Sequence, residues 1–65
     1  MKVGDLVRMP DHRMYWWGGQ VGIVDMIEPM GSQYVKYRVF IAGNAGKGYA
    51  KFGDPEFVEV ISESR

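Results

Sequence analysis

Residues 34–41 read YVKYRVFI. As an extended strand, this segment places Val35, Tyr37, Val39 and Ile41 on one face and Lys36, Arg38 and Phe40 on the other. No stretch of the chain sustains a helical apolar period for three turns. The alternation in 34–41 therefore decides the reading: short, half-buried strands, separated by glycine and proline.

Moving toward the C-terminus, GNAGKG at 43–48 is a glycine-rich hairpin loop, and a fourth short strand is expected at 49–52. GDPE at 53–56 makes a tight turn with room for one turn of 3₁₀-helix. A fifth strand follows at 57–61, and residues 62–65 form a polar tail with nothing to pack. Moving toward the N-terminus, EPMG at 28–31 is a turn, with Pro29 at its second position and Gly31 at its fourth. Before it, a strand at 20–27 carries Val21, Ile23 and Ile27 on one face and Val24 and Met26 on the other. Apolar residues on both faces suit a strand bent across a small closed barrel, with Gly22 as the bend. A long loop at 10–19 joins it to a first strand at 3–9 that Pro10 ends. The expected fold is all-β, an SH3-like small barrel of about five short antiparallel strands filling residues 1–61. Closure would hide the sheet edges, which so small a chain covers poorly.

The 65 residues allow one domain with a thin core. Cysteine is absent, which excludes disulfides and thiolate metal sites. The opening MKVGDLVRMP has no apolar run of signal-peptide length, and no membrane-spanning stretch follows. A cytoplasmic protein without membrane insertion is expected. Net charge is zero but unevenly placed. Residues 34–51 carry Lys36, Arg38, Lys47 and Lys51 and no acid, whereas residues 52–65 carry Asp54, Glu56, Glu59 and Glu63 against Arg65. This segregation fits either a two-signed surface or opposite charges paired across neighbouring strands.

Several motifs resemble known small barrels. GDLVR at 4–8, VGIV at 21–24 and EFVEV at 56–60 resemble SH3-like barrels that include the KOW-type domains of ribosomal and transcription proteins. A longer likeness is to the PsaE family of photosystem I. It runs through Gly4, Asp5, Val7 and Arg8, the pair Tyr15-Trp16, Val21, Gly22 and Val24, the strand from Tyr34 to Phe40, Asn44 and Gly46, Phe52, and the finish from Glu56 to Val60. Both chain ends, MKVGDLVR and VEVISESR, are similar to small uncharacterised barrel proteins of tailed phages, particularly marine ones. The phage likeness implies a barrel of no assigned activity, in the host cell cytoplasm. The photosystem likeness implies docking of a soluble electron carrier through basic residues, of which Arg8 lies in a matching motif and Lys36 and Arg38 near one.

Little in the chain suggests catalysis, and no cofactor is expected. Nucleophilic chemistry needs an activated Cys, Ser or Thr. Cys and Thr are absent, and the serines fall in a turn and the tail. His12 is the sole histidine, in a loop beside Asp11, too few ligands for a metal site. The GNAGKG loop lacks the spacing, the Ser/Thr and the following helix of a phosphate loop.

Binding is the remaining expectation. HRMYWWGGQ at 12–20 gathers Arg13, Met14, Tyr15, Trp16 and Trp17, residue types enriched at interface centres. The tyrosine cluster of signalling SH3 domains is missing, so a proline-peptide groove is not expected. The core, expected to house Val7, Val21, Ile23, Val35, Tyr37, Val39, Val58 and Val60, is so small that it holds one large ring and part of a second. In an extended run, with Trp16 in the fold-associated place that the photosystem likeness implies, Trp17 is the surplus ring, exposed with Met14 and Arg13. A protein partner is the first reading, with self-association as a variant of it. The alternative is a nucleic acid, held by aromatic rings with Lys36, Arg38, Lys47 and Lys51.

Overall fold

The computed structural model describes residues 1–43 and 46–62. It is all-β: strands β1 (Leu6–Arg8), β2 (Val21–Pro29), β3 (Val35–Gly43), β4 (Gly46–Phe52) and β5 (Glu59–Ser62), with a 3₁₀ turn at Pro55–Phe57. The five strands make one antiparallel sheet in the order β4-β3-β2-β1-β5. This meander is consistent with a small SH3-like barrel, although no β4–β5 ladder closes it among the described residues. The expectations for the hairpin apex at 44–45 and the tail at 63–65 lie outside the described residues, while Ser62 belongs to β5. No helix among the described residues is long and apolar enough to cross a membrane.

The phase of β3 is as expected, with Val39 and Ile41 wholly buried. That phase dictates the phase of β2. Directly paired residues share a face, and Val39 pairs with Val24 while Ile41 pairs with Gly22. Gly22 and Val24 therefore point inward, leaving Val21 and Ile23 outward and about two-fifths exposed. This corrects the assignment of Val21 and Ile23 to the core. A second correction concerns the bend. The register shift in β2 lies between Val24 and Met26, so Asp25 is the extra residue of a bulge, and Ile27 then returns to the inner face opposite Tyr37. Gly22 has a different role. A Cβ there would collide with Val39 Cγ1 and stand 2.7 Å from the Phe40 carbonyl oxygen, so the absence of a side chain lets β2 and β3 pack.

The core comprises Val7, Met9, Trp17, Val24, Val39, Ile41, Ala50, Phe52 and Val58, with Met1, Ile27 and Tyr37 packed against it. Val60, expected inside, is exposed because, among the described residues, β5 pairs only with β1 at the sheet margin. Strand β1 is shorter than expected because residues 2–5 turn. Gly4 takes φ 99°, its N–H donates to the Val24 carbonyl at 2.8 Å, and the buried Asp5 accepts the Lys2 N–H at 2.9 Å through Oδ2. The GDPE turn matches expectation. Asp54 Oδ1 accepts the Glu56 N–H at 2.9 Å, Pro55 supplies a preset φ, and Phe57 N–H closes on the Asp54 carbonyl at 3.0 Å. Pro29 ends β2 instead of entering the turn, and a Met30 N–H to Tyr34 carbonyl bond of 3.0 Å closes the loop around Gly31.

Candidate functional site

The first long loop is a chain of turns, not an extended run. Tyr15 N–H donates to the His12 carbonyl, Gly18 N–H to the Tyr15 carbonyl and Gln20 N–H to the Trp17 carbonyl. Gly19 N–H reaches back to the Pro10 carbonyl at 3.0 Å and clamps the loop's base. Strict alternation of side chains does not hold along such a path. This is why the expected roles of the two tryptophans are exchanged. Trp17 is 8% exposed and belongs to the core, while Trp16 is 40% exposed. The expectation that Trp17 is the surplus, exposed ring is thus overturned.

Trp17 is held by a series of rings. Tyr15 stacks on it with centroids 4.6 Å apart and planes 6° from parallel, and His12 tilts against Tyr15 at 4.8 Å. On its far side, Phe57 of the 3₁₀ turn meets Trp17 edge-on at 6.1 Å, and Phe52 and Tyr37 continue the series at 5.5 Å steps. Trp16 takes a separate course over the β3–β4 hairpin. A Cβ on Gly48 would stand 3.0 Å from Trp16 Cζ2, so the glycine leaves the indole its seat.

The structure therefore turns four of the five expected contact residues outward. Arg13 is exposed, Met14 is 86% exposed, and Tyr15 and Trp16 are partly covered by their neighbours. Beside the loop lies a cleft of about 430 Å³ whose lining includes Tyr15, Trp17, Phe57, Ala50 and Lys51. His12 also lines it, and its Nδ1 accepts the Met14 N–H at 3.3 Å. The sequence reading missed the contribution of Phe57 and β4, because only the tertiary fold brings the last turn beside the first loop.

A second apolar surface was also missed. Leu6, Ile23, Phe40 and Tyr49 are register partners in turn across four strands, forming a row on the outer face of the sheet. The signal was present: β2 is apolar on both faces.

The four expected anion contacts do not act together. Arg38 makes two hydrogen bonds to Asp25, Nε to Oδ1 at 2.9 Å and Nη2 to Oδ2 at 3.0 Å, and its guanidinium lies over the Tyr49 ring at 4.5 Å. The hydrogen bond to Asp25 raises the Arg38 pKa above its ordinary value. Arg38 is thus occupied by the bulge residue opposite. Lys36 stands in register with Glu28. Lys47 and Lys51 are exposed on β4, and among the described residues neither makes an ion pair. Among the described residues, charge is therefore paired across the sheet centre and left free along β4.

The chain matches no protein-family model, no curated protein and no solved structure.

Proposed function

We propose that this chain is a non-catalytic protein-interaction module, and that its contact surface is the tip of the first loop. The carrying observation is Met14, an apolar side chain 86% exposed, three residues from a tryptophan seated in the core. A loop fastened by Trp17 and by the Gly19–Pro10 bond presents Arg13, Met14, Tyr15 and Trp16 on an ordered backbone. Ordering before contact lowers the entropic cost of binding. Met, aromatic and Arg side chains supply the contact types that dominate interface energetics. The likeness of both chain ends to tailed-phage barrel proteins supports an assembly or host-protein partner.

The nucleic-acid alternative is less well supported. Affinity for phosphates rises steeply with the number of cationic contacts. Arg38 is engaged by Asp25 and Lys36 faces Glu28, which leaves Lys47 and Lys51. The electron-carrier docking implied by the PsaE likeness meets the same shortage, with Arg8 as its exposed cation in the matching motif.

The test is the double variant Arg13→Glu/Met14→Ser. Both positions are exposed, so its melting temperature is expected to stay within a few degrees of wild type. Immobilised variant and wild type are compared quantitatively for capture from host-cell lysate. At least a tenfold loss of capture is expected, on the order of 1.4 kcal/mol. Equal capture by the folded variant contradicts the proposal.

A further inference from the structure

The sheet leaves two strands unpaired on one side. Among the described residues, strand β4 pairs only with β3, and β5 only with β1. Each presents a row of backbone N–H and C=O groups that lack strand partners. The two margins differ in charge. Strand β4 carries Lys47 and Lys51, while β5 begins at Glu59, just after Glu56. Repulsion between lysines disfavours β4 pairing with another β4, and an acidic strand removes that repulsion.

The cleft beside the first loop lies along the free edge of β4. It touches Tyr49, Ala50 and Lys51 in succession. Successive side chains point to opposite faces, so a hollow reaching all three runs along the strand's margin. Strand β5 is exposed along its whole length, including Val60 and Ile61.

We infer that β5 of a second copy of this chain pairs with the free edge of β4. Antiparallel pairing in one register matches the first two positions of β5, ahead of the irregularity that lies between Val60 and Ser62. Glu59 of the second copy faces Lys51, and its Val60 faces Ala50. Val60, though partly exposed at the margin, pairs with the buried Val7, and Ala50 pairs with the buried Val39, so both lie on the core side and the combined sheet keeps its inside and outside. Val60 of the second copy then enters the cleft bounded by Tyr15, Trp17 and Phe57. The contact joins two different edges, so copies add head to tail and either close into a ring or extend as a chain. This surface is distinct from the loop tip and goes beyond the reading given above.

Sedimentation velocity over micromolar to several hundred micromolar protein tests the inference, at low and high salt. Wild type is expected to associate with concentration, less so at high salt. Lys51→Glu and Glu59→Lys, both at exposed positions, are each expected to remain monomeric. An equimolar mixture of the two restores association, because Glu59 of one variant meets Lys51 of the other. Circular dichroism establishes that both variants are folded, and Lys51→Gln replaces Lys51→Glu if the charge reversal unfolds the chain. A wild type monomeric throughout overturns the inference, as do single variants that associate like wild type. A monomeric wild type whose lysate capture still depends on Arg13 and Met14 overturns it and leaves the loop reading standing. Loss of capture by Lys51→Glu without any self-association overturns it too, and assigns the edge to an acidic strand of another protein.

Discussion

Trp17→Ala is expected to abolish cooperative thermal unfolding, measured by circular dichroism. The indole is nearly fully buried and touches rings from two parts of the chain, Tyr15 within the loop and Phe57 of the 3₁₀ turn, and Phe57 in turn meets Phe52 of β4. Truncating a buried tryptophan costs about 3–5 kcal/mol, from lost transfer energy and from the cavity left behind. A single core in a chain of this size supplies about 3–5 kcal/mol in total. One substitution therefore removes roughly the whole stability. Trp16→Ala provides the contrast. Its indole is 40% exposed and rests on the hairpin glycines, so a shift of only a few degrees is expected. A folded Trp17→Ala variant with an unchanged midpoint contradicts the assignment of the two rings.

Gly22→Ala is the second large effect, and its cause is crowding. The new methyl would strike Val39 Cγ1 and approach the Phe40 carbonyl oxygen at 2.7 Å and Ile41 Cγ1 at 2.8 Å. The valine and isoleucine could change rotamer, but the carbonyl belongs to the β2–β3 ladder and can move only if the strands separate. Overpacking of this kind costs about 1–3 kcal/mol, and the backbone obstacle places this site at the upper end. A fall in melting temperature of more than about 10 °C is expected, since each kcal/mol is worth about 4–8 °C in a domain of this size. Gly31→Ala, at a position with open space but φ +82°, is expected to fall by less, because its cost is local backbone strain alone. Equal melting temperatures for wild type and Gly22→Ala exclude the close approach of β2 and β3.

The contrast between these residues explains what was legible in the sequence. The strand at 34–41 announced itself through alternation. The GDPE turn was legible because Asp and Pro carry their local geometry with them. Those features depend on neighbouring residues only. The phase of β2 was not legible, because apolar residues occupy both of its faces and only pairing with β3 selects one. The bulge at Asp25 is equally non-local, since it shows in the shifted register and in the Arg38 pair across the strands. The first loop misled for another reason. Alternation was applied to a segment that turns, so the two tryptophans exchanged places. The expected exposure of Arg13 and Met14 did not depend on that choice, and both side chains are exposed. The free edge of β4 was invisible, as closure of a sheet depends on contacts between its most distant strands.

Trp17 is the buried anchor of an outward-facing loop, and every functional reading of that loop depends on it. Trp16→Phe leaves Trp17 as the sole tryptophan and tests this directly through fluorescence with iodide quenching. Blue-shifted emission is expected, with quenching several-fold weaker than for free tryptophan and both lost together on thermal unfolding. Emission and quenching equal to those of free tryptophan in the folded variant would place Trp17 in solvent and contradict its role as anchor.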